Sequence, residues 1–504
     1  MVMKRIIYAI SIVIISIFCY SCNDWFDVSA SSDVRSSAHY ATVSGFQQTL
    51  TGCYVRLAEP ALYGKNLSWY APEILAHQFE ETTDILGVNL YAHNYKETQV
   101  TRMFETIWGN AYNVIVNAND ALSKIDGKKE QMDPIDYAVI KGELLGIRGL
   151  LHFDLYRLFG HGNWRARGNE LSARKTIPYV TTVSKQLTPQ STGMELYKAI
   201  VNDLEQAASL LKDYDPVTAR HPASFYAEVN FDKYYLYRDL HLNYYTIKAL
   251  LARVHLYFNT AEGLNKAVSE AEEVIDFVEK GGWSSTTFNT TIKSMNPADI
   301  TSATASMAWE ALTSINVNDL DRLTESYIKP NYQGSHALAM FILPDRINDI
   351  FEGISTDVRF SKLMSQNVSS DQQGYVPLKL YQSEQGDGFS KRVNIIRIQE
   401  LYYILAEAKS LLGDKEEAIK IINASRNRRG ISSDLPLDLS EDGIQKEIEK
   451  EYIKEFMSEG VMFFYYKRLG IERIPRMTSE EENLSDKEYV IPYPEYELQS
   501  GRKQ

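Results

Sequence analysis

Residues 244–282 read YYTIKALLARVHLYFNTAEGLNKAVSEAEEVIDFVEKGG. Ile247, Leu250, Leu251, Val254, Tyr257 and Phe258 recur at helical spacing, which puts them on one face of a helix. A turn through Gly263 interrupts the pattern. Leu264, Ala267, Val268, Ala271, Val274, Ile275 and Val278 then resume it, and Gly281-Gly282 ends it. Two apolar stripes joined by a short turn predict an antiparallel helix pair. A second such unit is LYYILAEAKSLLGDKEEAIKIINASRNRRG, residues 401–430. Leu401, Ile404, Leu405, Ala408, Leu411 and Leu412 line one helix, Gly413-Asp414 turns, and Ala418, Ile421 and Ile422 line the return. Gly430 suits the position just past a helix end. Arg426, Arg428 and Arg429 fall in the last turn, where cations offset the helix dipole. Both units resemble tetratricopeptide pairs, without the strict repeat of roughly 34 residues.

The same spacing predicts further helices. Ser44 is the expected cap of one that carries Phe46, Leu50, Cys53 and Leu57 inward and stops before Pro60. Residues 104–125 carry Phe104, Ile107, Trp108, Ala111, Ile115, Ala118 and Leu122 on one stripe, up to Asp126-Gly127. Residues 142–160, GELLGIRGLLHFDLYRLFG, place Leu144, Ile147, Leu151, Leu155 and Leu158 together. Gly146 and Gly149 cost helix propensity there, so a neighbouring helix is expected to approach closely. Arg148, His152 and Asp154 lack a nucleophile for a triad and read as an internal ion-paired set. Thr192 starts a helix with Leu196, Ile200, Leu204, Ala207 and Leu211 inward. One helix is expected over 448–466, with Glu451, Glu455 and Glu459 on a solvated or arginine-paired face.

Two regions lack helical period. Residues 60–100 hold Trp69, His77, Tyr91, His93, Asn94 and Tyr95, and a connection that long is usually functional. His77, Glu80 and Glu81 are only part of a metal-binding pattern, and no HExxH completes it. Residues 283 to about 392 scatter Trp283, Trp309, Tyr327, Tyr332, Tyr375 and Tyr381 among Ser, Thr, Asn and Gly, with short extended runs at 339–343, 376–381 and 393–398. They read as an irregular module folded over the helices. The closing EYVIPYPEYEL reads as an extended clamp, because its prolines oppose helix.

The chain opens MVMKRIIYAISIVIISIFCYSCNDWFD. A basic start, a short apolar run and a small residue before a cysteine describe a secretory signal. The run is too short for a bilayer span, which needs about 20 residues. Ser21-Cys22 resembles a bacterial lipoprotein junction, with Cys22 lipidated as the first mature residue. The expected organisation is a signal over 1–21, a Ser-rich tether over 22–40, and one domain over 41–504 that includes the loop-rich module 281–392. Cys19 and Cys22 form a CxxC, but Cys19 lies in the segment to be removed, so neither metal nor redox chemistry is expected.

The 504 residues carry a net charge of −13, which disfavours nucleic-acid binding. Past Cys22 only Cys53 remains, so no disulfide framework is expected. There are 33 Tyr, whose rings are apolar and whose tips are polar, a combination that suits wet binding surfaces. No GxSxG, P-loop or zinc signature is present.

The order of pieces resembles the SusD/RagB family of outer-membrane nutrient-binding lipoproteins of Bacteroidetes. The stretches that carry the resemblance are WGNAYNVIVNANDAL, ELLGIRGLLHFDLYRLFG, IPYV followed by ELYKAIVNDLEQAASLL, YYTIKALLARVHLYF, DVRF at 357–360, IIRIQELYYILAEAKSL with INASRNRRGI, EYIKEFMSEGVMFFYYKRLG, and IPYPEYEL. It implies a mostly α fold, with four tetratricopeptide-like helix pairs in an α-superhelical body, a loop-rich module and a few short β segments. It implies a cell-surface lipoprotein of the outer membrane that captures glycan as a hinged lid over a SusC-like TonB-dependent transporter. It implies a binder rather than an enzyme, without cofactor or metal. By position it points to Tyr91, Asn94, Tyr95 and Trp309 as ligand contacts, and also to Trp69 and Trp283. The same architecture binding oligopeptides is the alternative. A surface glycoside hydrolase using Glu80, Glu81 and Asp84 is a third.

Overall fold

The computed structural model describes residues 38–82, 84–329, 340–368, 373–381, 391–475 and 483–504. The expected signal peptide, Cys19, the lipidation site Cys22, the tether to residue 37, Tyr332 and the start of the 339–343 run lie outside them.

The fold is mostly α, as expected. Helices Pro134–Phe159, Gly193–Tyr214, Tyr244–Phe258, Ala261–Glu279, Ile398–Leu411, Lys415–Arg428 and Glu441–Glu455 pack each on the next as one curved stack. Helix Thr98–Ile125 lies on Pro134–Phe159, and Val43–Leu57 lies on both. One continuous apolar core runs through the stack. Gly146 and Gly149 serve as expected, since a Cβ on Gly149 would stand 3.1 Å from Leu204, and Gly142 does the same. A Cβ on Gly142 would stand 2.8 Å from Leu211, and one on Gly146 would stand 2.6 Å from Ile247. The missing side chains let two neighbouring helices seat closely.

Thr192 does cap its helix, through a reciprocal bond pair with Glu195. Ser44 does not cap the first helix. That helix begins at Val43 after Thr42, and no side chain bonds its free N–H groups. Cys53 is buried on the apolar face, and burial pushes its thiol up to about 12. The polar set of 142–160 is satisfied by partners within the helix and from other elements, Asp154 by Arg157 and the Tyr63 hydroxyl. Arg148 forks onto Asp203 at 2.6 and 2.7 Å and reaches Asn119 at 2.9 Å. His152 Nδ1 faces the Arg148 carbonyl at 2.8 Å and its Nε2 accepts from the Val180 N–H at 2.9 Å.

Two further expectations change. The helix over 448–466 is two helices, Glu441–Glu455 and Met462–Leu469, because Ser458 and Gly460 take left-handed backbone between them. Gly460 is there for space as well, since a Cβ would meet the Ser68 carbonyl at 2.2 Å. The C-terminal clamp is only partly extended. Short helices Asp486–Tyr489 and Glu495–Gln499 flank the prolines, and Pro494 sits at the second helix's cap, where its missing N–H costs nothing. The segment still clamps, since the Ile491 N–H donates to the Leu158 carbonyl and Trp108 Nε1 donates to Glu497.

The irregular module hangs on one antiparallel ladder. Strand Ala311–Asn316 pairs with Arg392–Arg397, which runs straight into helix Ile398–Leu411. Hairpins Trp283–Ser285 with Thr290–Ile292, and Met364–Val368 with Gln373–Pro377, complete the described sheets. Beneath the ladder lies a buried ionic network. Arg397 binds Glu455 at 2.7 Å and Glu459 at 2.7 Å; Arg429 binds Glu310 at 2.7 Å and Glu455 at 2.9 Å; Arg359 binds Asp357 at 2.7 Å and Glu451 at 2.8 Å. The glutamate row is thus an arginine-paired face, with Glu451 and Glu455 fully inside the protein and Glu459 half-buried. Burial alone would raise the Glu455 carboxyl, but Arg429 and Arg397 outweigh it and hold it well below the usual carboxylate range.

Candidate functional site

The segment between the first two long helices is built rather than loose. Trp69 is fully buried, donates from Nε1 to the Gly64 carbonyl at 2.9 Å, and meets Tyr70 and Tyr327 edge-on. Lys65 lies over the Tyr70 and Tyr327 rings at 4.1 and 4.3 Å. Trp69 is therefore core and offers no face to a ligand. Short helices Ala71–Leu75 and Ile85–Tyr91 follow. Asp84 caps the second by accepting from the Gly87 N–H at 2.9 Å, so its carboxylate has a structural task.

Tyr91 ends that helix, half-buried. One ring face lies flat on His77, with centroids 3.7 Å apart and planes 3° from parallel. His77 Nε2 also bonds the Tyr91 carbonyl at 2.8 Å. His77 and His93 both take left-handed backbone, which turns the chain back on itself twice. His93 is placed by a 3.1 Å contact with the Leu75 carbonyl, and burial lowers its pKa to about 4. Asn94 is exposed, and its amide donates to the Asn89 side chain at 2.7 Å. Tyr95 points inward, edge-on to Phe104, with its hydroxyl donating to the Glu488 carbonyl. Tyr91 and Asn94 thus present polar groups at one surface, while Tyr95 ties that surface to the C-terminal clamp.

A groove of about 730 Å³ adjoins this surface. Glu80, Leu343, Arg346 and Asp349 line one side, and Lys446, Glu449, Lys450 and Ile453 of helix Glu441–Glu455 line the other. Arg346 donates to the His77 carbonyl at 2.8 Å, the Leu343 N–H donates to Glu80 at 3.1 Å, and the Glu80 N–H donates to the Phe341 carbonyl at 3.0 Å. His77 is therefore the joint, with its ring under Tyr91 and its backbone on the groove's arginine. Burial raises the Glu449 carboxyl. Apolar Leu343, Ile350 and Ile453 alternate with charges of both signs along the groove. Such a lining can cover C–H faces and bond hydroxyls or amides.

The module tryptophans pack elsewhere. Trp283, half-buried, leans on Phe288 at 5.6 Å. Trp309, half-buried, packs on a second small cluster of Met295, Ile300, Met307, Val358 and Leu363. Lys293 Nζ sits 4.5 Å over its ring, and the Trp309 carbonyl accepts from the Lys293 N–H at 2.9 Å. The next residue, Glu310, is locked into the arginine network. Tyr91, Asn94 and Tyr95 thus share one short segment, whereas Trp283 and Trp309 stand on separate supports.

The groove is what the sequence concealed. Arg346 and Lys450 come from segments far apart in the chain and from different elements, with no shared motif. The one local hint is Leu343, apolar yet 46% exposed, just before Pro344 at a helix start. Among the described residues no cluster of His, Cys, Asp and Glu could hold a metal ion, and no helix is long and apolar enough to cross a membrane.

Two family models match the chain. One, described as starch-binding and associating with the outer membrane, matches residues 24–236; the other, the SusD family, matches residues 356–500. No curated protein sequence matches. Solved structures do. A SusD superfamily protein of Bacteroides thetaiotaomicron shares 22% identity, with a TM-score of 0.69 over 91% of this chain and 98% of its own. A SusD superfamily protein of Bacteroides vulgatus shares 19%, with a TM-score of 0.70 over 92% and 98%. A putative sugar binding protein of Bacteroides vulgatus shares 21%, with a TM-score of 0.66 over 91% and 96%.

Proposed function

We propose, because the chain belongs to the SusD/RagB family, that it binds carbohydrate at the outer membrane and delivers it to a TonB-dependent transporter. One observation carries the reading: the surface of half-buried Tyr91 and exposed Asn94 and the wide groove beside it are joined through His77. The aromatic ring of Tyr91 can cover a sugar's C–H patch, and Asn94, Arg346 and Glu80 supply donors and acceptors for its hydroxyls. Trp309 and Trp283 are secondary contacts in this proposal, each half-buried on a fixed support. The putative sugar binding protein among the similar structures favours the same ligand class.

The chain acts as a binder in this reading. Asp84 is committed to a cap and Glu80 to the Leu343 N–H, so these two carboxylates serve structure before chemistry. Cys22 carries the lipid that holds the body to the outer leaflet, facing outward, and the Ser-rich tether gives it slack to hinge over a SusC-like barrel. Oligopeptides are the second reading, favoured by the mixed charges of Arg346, Lys446, Asp349 and Glu449 along the groove.

Calorimetric titration against a panel of neutral oligosaccharides and a panel of oligopeptides tests the class. Saturable heat with a saccharide is expected, and heat with peptides alone would overturn it. Cys22→Ala should shift the protein from the membrane to the soluble fraction. Copurification of a barrel protein with the tagged wild-type chain tests the transporter.

A further inference from the structure

A second cavity, of about 500 Å³, shares no lining residue with the groove. The last turn of helix Val43–Leu57 supplies Tyr54, an irregular segment supplies Tyr234 and His241, and the end of strand Ala311–Asn316 and the loop after it supply Asn316, Asn318 and Asp319. Three rings make its aromatic wall: Tyr54 and Tyr234 stand edge-on to His241, with centroids at 4.8 and 6.4 Å. The side-chain amide of Asn316 donates to Asn318 at 3.0 Å, so the amides of the rim hold each other in place.

The support under this wall is costly. Glu143 is fully buried and receives His241 Nδ1 at 2.8 Å, the Tyr54 hydroxyl at 2.6 Å and Arg238 at 2.5 Å. Arg238, also fully buried, forks onto Asp215 at 3.0 and 3.1 Å. The Tyr54 hydroxyl in turn accepts from the Leu242 N–H at 2.8 Å. Burial alone would raise the Glu143 carboxyl, but Arg238 and His241 outweigh it and bring it to about 2. Apolar residues of the same volume would often stabilise such a spot as well or better. The charges do something apolar residues would not: they fix the ring planes of Tyr54 and His241. His241 Nδ1 donates to Glu143 whichever way the ring is protonated, which leaves Nε2 without a hydrogen-bond partner among the described residues. A hydroxyl, being both donor and acceptor, satisfies Nε2 in either state.

We infer that this cavity is a second saccharide-binding site, selective for uncharged sugars. The rings of Tyr54 and Tyr234 cover the C–H face, and His241, Asn316, Asn318 and Asp319 bond hydroxyls. No Lys or Arg lines the cavity, and its carboxylates Asp319 and Glu59 are paired with Arg322 and Arg56 outside the lining, so the lining offers uronic acids and sulfated sugars no counter-charge. The groove, with Arg346, Lys446 and Lys450, lacks that bias. The inference rests on the carbohydrate reading proposed above, with a site of its own.

The test is calorimetry of the purified protein with a neutral trisaccharide series (maltotriose, xylotriose, mannotriose) and with trigalacturonate. Two sites per chain are expected for at least one neutral sugar. Asn318→Ala, a surface change, should weaken one site about tenfold, and His241→Ala should remove it, with the other site unmoved. Tyr91→Ala with Asn94→Ala should do the reverse. A neutral trisaccharide soaked into crystals should occupy the Tyr54–His241 cavity, which keeps the test open if His241→Ala fails to fold. A stoichiometry of one that responds only to the Tyr91 and Asn94 changes would overturn the inference and leave the carbohydrate reading standing. No saccharide binding at all would overturn both. Trigalacturonate in the cavity would refute its selectivity.

Discussion

The helix stack and the module's seat on it are held by different balances of contact. In the stack, Gly142 and Gly146 open notches that Leu211 and Ile247 fill, and one continuous apolar core surrounds scattered ion pairs such as Arg148 with Asp203. Where the module meets the stack, Arg359, Arg397 and Arg429 meet Glu310, Glu451, Glu455 and Asp357 in a dry interior. Apolar packing tolerates many arrangements, whereas forked arginine bonds accept very few. The module thereby acquires a fixed seat on the stack. Trp309, next to Glu310, inherits that fixity, while Tyr91 gets its own from His77.

The largest expected effect breaks the ionic seat. Arg429→Met leaves the buried carboxylates of Glu310 and Glu455 short of a partner and should cost about 3–5 kcal/mol, read by denaturant unfolding. If the loss were below about 1 kcal/mol, the network would be no stronger than a surface pair.

A second test asks whether the carboxyl of Glu73, on helix Ala71–Leu75 against the turn after helix Glu441–Glu455, behaves as its burial requires. It is fully buried, accepts from the Gly460 N–H at 2.6 Å, and burial raises its pKa to about 7. The folded state therefore holds a proton that the unfolded chain releases near pH 4.5. Stability on this account is greatest below that pH and falls as the pH rises toward 7, by at most about 3 kcal/mol. Glu73→Gln keeps the acceptor and should flatten the slope in that window, as followed by thermal unfolding from pH 4.5 to 8. An unchanged slope would assign the titration to other groups.

Gly146→Val tests the apolar side of the comparison. The added methyls would press on Ile247, for about 1–3 kcal/mol, and sugar binding should survive in the folded fraction. The smallest stability change belongs to the site: Asn94→Ala, on an exposed side chain, should leave the melting temperature within about 1 °C while weakening ligand.

The stack was legible because its information is local. Leu250, Val254, Ala267 and Ala271 announce their faces by spacing alone, and Gly146 announces its neighbour by breaking propensity. The module was not. Its partners, such as Arg359 with Glu451 or the Ala311–Asn316 strand with Arg392–Arg397, are far apart in sequence, and no period links them. Glu451, Glu455 and Glu459 were visible as a row, and Arg426 and Arg429 as a helix end, but their meeting required the fold. The site divides the same way. Tyr91 and Asn94 lie where an aromatic loop was readable. Trp69 looked equivalent, but hydrogen bonds to Gly64 and packs against Tyr327 inside the core. The role of Arg346 was invisible until the Pro344–Phe351 helix came to rest beside His77.

The most direct measurement is a titration of the neutral oligosaccharide panel into the wild-type protein and into the Tyr91→Ala, Asn94→Ala double variant, with both melting curves recorded. Saturable binding to the wild type, at least tenfold weaker in the double variant at that surface with melting unchanged, is the predicted result. Equal affinity in both proteins, or binding of oligopeptides and no saccharide, would contradict it.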